Sequence, residues 1–140
     1  MNFHIITLFK DSIEAYLNES ILGRAQGQGK IKVSYYNPRD FAGSLKDKSK
    51  PGYVDGKPYG GGPGMVLQAL PFIKAAEAAL KRSTGKKKKP LVIFLSPSGK
   101  QFTTAYAKKV ARNKGDIVLI AGRYEGVDAR VKKILKAEEV

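Results

Sequence analysis

The chain has 140 residues, of which 42% are hydrophobic and 27% charged, the proportions of one globular domain long enough to bury a core. It has no cysteine and a single histidine, His4, which excludes disulfides, thiolate zinc sites, a Cys nucleophile and any Ser-His-Asp triad not built around His4. Lys and Arg number 26 against 12 Asp and Glu, a net charge of +14, which points to a polyanionic partner such as nucleic acid.

"FHIITLF" (Phe3 to Phe9) reads as a buried strand with His4 an ordinary member of its apolar alternation. Asp11 and Glu14 have the spacing of a helix N-cap and its acidic partner, which predicts a helix to about Glu19. "GRAQGQGK" then reads as a glycine-punctuated basic loop, and "IKVSYYN" as a strand closed by Asn37-Pro38. From Phe41 to Gly64 no regular period is visible, an unusually long irregular stretch for a compact domain and therefore a functional candidate.

Pro71 suits a first helical position, and Phe72, Ile73, Ala76 and Leu80 form one apolar stripe ending near Arg82. "KKKK" (Lys86 to Lys89) reads as a solvated loop. "PLVIFL" (Pro90 to Leu95) is a fully apolar strand, followed by the turn "SPSGK" and a helix with Phe102, Tyr106 and Val110 on one face. "DIVLIAG" is a second apolar strand, and "GRYEG" turns into a last helix that carries Val127, Val131, Ile134 and Leu135 inward. Continuous apolar strands alternating with amphipathic helices predict an α/β fold, a parallel sheet with helices on both faces.

In such sheets ligands collect beyond the carboxyl ends of the strands. "LSPSGK" (Leu95 to Lys100) and "AGRYEG" (Ala121 to Gly126) fall there, so the two turns are expected to line one pocket. The pattern G-x4-G-K-[ST] is absent, as is GxGxxG after any strand, so an ordinary ATP or dinucleotide site is disfavoured and a nucleoside-type ligand held by main chain is the better reading. "PYGGGPGM" (Pro58 to Met65) is the most glycine-dense run in the chain. Such a run leaves the backbone unencumbered, or else is a simple linker.

The segments "SILGRA", "NPRDF", "VDGKPYGGGPGM", "LSPSGK" and "AGRYEGVDARV" stand in the order and spacing of the bacterial tRNA (guanine-N1)-methyltransferases, and the chain resembles that family over nearly its whole length. The resemblance implies a SPOUT-type α/β domain with a C-terminal trefoil knot, a homodimer, and transfer of methyl from S-adenosylmethionine to N1 of guanosine at tRNA position 37. It implies polar residues critical to the reaction at Asp55, Arg123 and Glu125, with Arg123 stabilising charge and Glu125 a magnesium contact. Cofactor contacts are implied at Leu95, Ser96, Pro97, Ser98, Gly99, Gly122, Tyr124, Glu125 and Gly126. Pro58, Tyr59, Gly60, Gly61 and Gly62 would wall the flipped guanine. Arg24, Arg39 and the lysines of the 46–57 segment would meet tRNA phosphates. Asp55 has a plainer reading as the start of a turn before Gly56.

That chemistry is intelligible on physical grounds. Guanine N1 carries a proton at neutral pH, so its methylation needs a base and a group to stabilise charge on O6, but no covalent enzyme intermediate, in keeping with a chain that lacks Cys. Departures from the family pattern are Gly56 in place of a second acid, Ser98 in place of Gln, Ala129 in place of an acid, and no His around "KDKSKPGY". The chain is expected to be a single domain, residues 1–140, cytoplasmic and without a membrane segment or signal peptide. After "EEV" the family continues into a segment that closes the knot, a linker with the catalytic Asp and a helical tRNA-binding domain. Residues 1–140 alone are therefore expected to bind cofactor weakly and turn over little. Two other classes fit parts of the sequence: a non-catalytic basic RNA-binding module, and a doubly wound nucleotide enzyme, which would need a phosphate loop.

Overall fold

The computed structural model describes residues 1–43, 52–83, 89–112 and 115–140. Its strands β1 (Asn2–Ile6), β2 (Lys32–Tyr36), β5 (Leu91–Leu95), β6 (Ile117–Ala121) and β7 (Glu138–Glu139) form one sheet in the order β2-β1-β6-β5-β7, parallel throughout. A small antiparallel hairpin, β3 (Asp55–Gly56) with β4 (Val66–Leu67), stands apart from it. The helices are α1 (Lys10–Leu17), α2 (Ser20–Gly27), α3 (Ala69–Arg82), α4 (Thr104–Arg112) and α5 (Arg130–Leu135).

Strand order decides which face each helix covers. The chain moves one way across the sheet from β1 to β2 and from β5 to β6, and the other way from β2 to β5 and from β6 to β7. Right-handed crossovers then place α1, α2 and α4 on one face and α3 and α5 on the opposite one. Contact between α3 and α5 agrees with this. The core lies on their side: Ile6, Val118 and Ile120 of the sheet and Phe72, Ala75, Ala76 and Ala79 of α3 are fully buried. The spacing of those α3 residues is one helical stripe, and its three alanines let the helix axis approach the strands closely. On the other face α1, α2 and α4 bury no residue completely.

Several boundaries differ from the sequence expectation, each for a visible reason. Most of "GRAQGQGK" is helical, because Gly23 is wanted for contact rather than for a turn: a Cβ there would meet the Asn18 carbonyl oxygen. Pro71 is the third residue of α3, a position whose N–H has no intrahelical partner and can be dispensed with. Phe102 precedes α4 and is exposed, packed edge-on against Tyr106 rather than into the core. Ile134 points outward at 59% exposure, whereas Val131 is fully buried and Val127 and Leu135 pack against the core. Part of the irregular 41–64 stretch is the strand β3, and residues 44–51 and the lysines 86–88 lie outside the described residues. The strand β7, two glutamates with no apolar signal, escaped the sequence reading.

Asn37 ends β2 by accepting the Arg39 amide on its side chain at 3.0 Å, which starts a single 3-10 turn over Pro38–Phe41. At the amino end of the sheet His4 is buried as a strand residue, its Nδ1 3.1 Å from the Tyr36 hydroxyl. Asp116 accepts from Asn2 and Ser83 beside it. Burial holds the His4 imidazole below its usual pKa, partly opposed by Asp116.

Candidate active site

The two turns converge. Beyond the carboxyl ends of the paired strands β5 and β6 lies a cavity of about 470 Å3, walled on one side by Leu95 to Ser98 and on the other by Ala121 to Val127. Apolar surface comes from Phe94, Leu95, Pro97 and Val127, and charge from Arg123, Glu125, Lys132 and Glu139. This is the location at which parallel α/β sheets bind ligands.

Each turn is shaped by local chemistry. After β5, the Ser98 amide donates to the Ser96 hydroxyl at 3.2 Å and the Gly99 amide to the Ser96 carbonyl at 3.1 Å, curling the chain back. After β6, the Gly126 amide donates to the Arg123 carbonyl at 3.1 Å. Tyr124, inside that turn, takes φ 59°, a left-handed conformation that a bulky residue adopts at a cost of order 1–3 kcal/mol. Its half-exposed ring is thereby presented at the cavity. Gly122 is required for packing, since a Cβ would stand 2.8 Å from Cγ2 of Val127.

The glycine run is tied to this turn. The Glu125 amide donates to the Met65 carbonyl, the Leu67 amide to the Gly126 carbonyl and the Asp128 amide to the Leu67 carbonyl, at 3.1, 2.9 and 2.9 Å. Gly64, at φ 101°, lies so close to Glu125 that a Cβ would come within 2.6 Å of its Cγ. Residues 64–67 and 125–128 therefore form a short ladder. Gly61 and Gly62 also take positive φ, 76° and 95°, but nothing lies within 4 Å of a Cβ built at Gly60, Gly61 or Gly62.

The sequence profile described as "tRNA (Guanine-1)-methyltransferase TrmD" matches residues 1–140. The chain belongs to this family. A tRNA (guanine-N(1)-)-methyltransferase of Pseudoalteromonas atlantica is 43% identical over 129 residues, 92% of this chain and 45% of that protein. Its counterpart in Moorella thermoacetica is 39% identical over 140 residues, the whole of this chain and 53% of the relative. The crystal structure of tRNA (m1G37) methyltransferase from Aquifex aeolicus superposes with a TM-score of 0.79 at 35% identity, covering 99% of this chain and 58% of that one. The chain thus spans about half the length of the curated relatives it matches.

Of the residues that the family resemblance singles out, the structure gathers Leu95, Ser96, Pro97, Ser98, Gly122, Arg123, Tyr124, Glu125 and Gly126 around the one cavity. Gly99 stands just outside it, pressed on the backbone of Val140, where a Cβ would come within 2.5 Å. The Arg123 guanidinium sits 4.9 Å from the centre of the Phe9 ring, beyond the end of β1. Asp55 does not line this cavity; its carbonyl accepts from the Gln68 side-chain Nε2 at 3.3 Å, and its neighbour Gly56 lines a second cavity. Tyr59 lines that second cavity too, while Pro58, Gly60, Gly61 and Gly62 line neither. Arg39 follows β2 at the carboxyl edge, whereas Arg24 lies on the last turn of α2, which feeds the amino end of β2 at the opposite edge. Among the described residues no group of three acidic or histidine side chains is placed to hold a metal ion, and no helix is long and apolar enough to cross a membrane.

Two site features were missed in the sequence. Glu139 enters the cavity wall from β7, its carboxylate 2.7 Å from Lys132 Nζ, and that hydrogen bond, with a further one to Ser96, holds it below the usual carboxylate pKa. Asp128 and Arg130 form a bidentate pair, with Nη2 to Oδ2 at 2.7 Å and Nε to Oδ1 at 3.0 Å. The Arg130 hydrogen bond holds the Asp128 carboxyl below its ordinary range. "D-x-R" beside a helix start was the available signal for this pair.

Proposed function

We propose that this chain carries the methyl-transfer half of an enzyme that methylates N1 of guanosine at tRNA position 37 using S-adenosylmethionine. The observation that carries the reading is the convergence of the two glycine turns and the Gly64 ladder on one cavity at the carboxyl ends of β5 and β6. The cavity suits this cofactor in size and chemistry. Apolar walls at Leu95, Pro97 and Val127 can receive a purine, and the carboxylates of Glu125 and Glu139 on the lining complement a sulfonium cation. When bound, S-adenosylmethionine supplies an electrophilic methyl group.

The protein's own residues supply placement and charge. The turns after β5 and β6 hold the donor by main chain, excluding water from one side. Gly64, by leaving room for Glu125, keeps that carboxylate at the junction of the cavity and the glycine run. Arg123, on the same turn, is a cation available to stabilise charge on O6 as the N1 proton passes to the catalytic Asp that the family resemblance places after residue 140. Asp55 is assigned to substrate positioning from the neighbouring hairpin. A magnesium ion at Glu125 would draw its remaining ligands from substrate or water. Activity, tRNA as substrate, a homodimeric state and a cytoplasmic location are parts of the same proposal.

On the full-length protein, isothermal titration with S-adenosylmethionine, combined with a methylation assay using labelled cofactor on tRNA carrying guanosine or adenosine at position 37, tests it. The expected result is cofactor binding that Gly122→Val abolishes, and transfer only to the guanosine tRNA. Salt-sensitive tRNA binding without any cofactor affinity would instead establish the non-catalytic RNA-binding reading, which the net charge of +14 favours.

A further inference from the structure

From Gly99 to Arg112 the sequence has Lys100, Lys108, Lys109 and Arg112 and no acidic residue. The last three lie with Ala105 on one face of α4, at positions i, i+3, i+4 and i+7, and the four residues line a groove of about 410 Å3. That face is exposed. On the other side Tyr106, Ala107 and Val110 are partly buried, and the Tyr106 hydroxyl ties the helix to the sheet edge by donating to the Glu138 carboxylate at 2.8 Å. The first turn is fixed by the Thr103 hydroxyl, which accepts the Tyr106 amide at 3.1 Å. The cations therefore stand on a fastened helix.

Among the described residues none of these three cations has an ion-pair partner, whereas Lys10 pairs with Glu14, Arg130 with Asp128 and Lys132 with Glu139. The helix dipole favours Lys109 and Arg112 in the last turn. It gives no reason to align them with Lys108, because like charges at i+3 and i+4 repel on a helix. α3 is built the other way, with Glu77 one turn from both Lys74 and Lys81. A polyanion laid along the α4 stripe removes the repulsion. Lys108 and Arg112 are about 6 Å apart along the helix axis, comparable to the step between neighbouring phosphates of an RNA strand, and the small Ala105 leaves room for a sugar-phosphate chain against the helix. α4 also follows, in the chain, the loop after β5 that walls the cavity at the carboxyl ends of the strands. We infer that the outer face of α4 is a docking surface for the RNA backbone away from the target nucleotide, in which Lys108, Lys109 and Arg112 meet neighbouring phosphates and read charge, not sequence. The inference rests on the RNA-methylating reading above and says where a further part of the RNA lies.

The test measures binding of tRNA with guanosine at position 37 to the full-length protein by fluorescence anisotropy across a salt series. Lys108→Gln, Lys109→Gln and Arg112→Gln together are expected to lower the slope of log Kd against log salt by about 2–3 and to weaken binding roughly tenfold or more at low salt. S-adenosylmethionine affinity, melting temperature and the methylation rate at saturating tRNA should stay at wild-type values. The charge-keeping variant Lys108→Arg, Lys109→Arg, Arg112→Lys retains the slope. Lys74→Gln, Lys81→Gln and Lys133→Gln, which remove as many charges from α3 and α5 on the opposite face, leave it unchanged. An unaltered slope and affinity in the α4 variant, with the guanosine still methylated, would overturn the docking surface and leave the enzymatic reading intact. Equal losses in the α4 variant and the opposite-face variant would overturn it too, since net charge would then act without a site. Dissociation of a dimer in the α4 variant, seen by sedimentation with RNA affinity per subunit unchanged, would overturn it in favour of a second copy as the occupant. A salt slope that depends on α4 in a protein that transfers no methyl group would support the surface and remove the methyl-transfer reading. A folded protein that binds no RNA would remove both.

Discussion

Gly64 gives the sharpest test of how the glycine run meets the turn after β6. Gly64→Ala imposes two separate penalties. The residue sits at φ 101°, where an L-amino acid costs of order 1–3 kcal/mol. The new methyl would also stand 2.6 Å from Cγ and 2.8 Å from Oε1 of Glu125. Because Glu125 is exposed and flexible, it swings away at little cost in stability, but it then leaves its place in the cavity wall. Against these stands the gain of about 0.4–1 kcal/mol that Gly→Ala brings by restricting the unfolded chain. The net expectation is a loss of about 1–2 kcal/mol, a drop of roughly 3–6 °C in melting temperature for a chain of this length. Gly60→Ala is the matched control, since its φ is not positive and nothing lies within 4 Å of its added Cβ. That variant should be neutral or slightly stabilised. Urea denaturation of both, followed by titration with S-adenosylmethionine, reads out stability and cofactor affinity separately. Equal stability and equal cofactor affinity in the two variants would refute the claim that the glycine run is fitted to Glu125.

Gly122→Ala should lose about 1–3 kcal/mol through the clash with Val127, and Val127→Ala in the same molecule should return part of that loss, a coupling that a double-mutant cycle in urea measures. Val131→Ala, at a fully buried position, should cost more than 1 kcal/mol, while Ile134→Ala should fall within about 0.5 kcal/mol of wild type; comparable losses would place α5 in a different rotation. His4 is buried with its pKa below the ordinary 6.5, so the stability associated with its neutral form is fully present above pH 6.5 and declines as pH falls below it. Thermal melts from pH 7.5 to 5.5 should show a downward slope that His4→Gln reduces.

The sheet was legible because its strands are buried on both faces and so read as continuous apolar runs, "PLVIFL" and "DIVLIAG" above all. That the turns which follow them would line one cavity was legible because parallel topology fixes which end of a strand a loop leaves from. What stayed hidden has physical causes. β7 consists of two glutamates, and it is a strand because its backbone pairs with Ile93 and Phe94 while its side chains find Lys132 and Tyr106. Burial, together with the hydrogen bond to the Glu138 carboxylate, pushes the Tyr106 hydroxyl up to about 12, and nothing in the local sequence announces that contact. The glycines of α2 mimic a loop in composition, although Gly23 serves a close backbone contact. The separation of Tyr59 from the cavity beyond β5 and β6 follows from the alternation of residues 126–130 across a partition, which no pattern in "PYGGGPGM" encodes.

The pairing of residues 138–140 has a thermodynamic implication. The Val140 amide donates to the Phe94 carbonyl, the Ser96 amide to the Val140 carbonyl and the Lys100 amide to the Glu139 carbonyl, so the outermost strand and the loop that walls the cavity after β5 share their backbone bonds. Peeling that edge and emptying the pocket become one equilibrium. A small molecule lodged beside Leu95 therefore acts as a clamp on the sheet, and amide hydrogens at Ser96, Lys100 and Val140 should exchange more slowly in step with its occupancy.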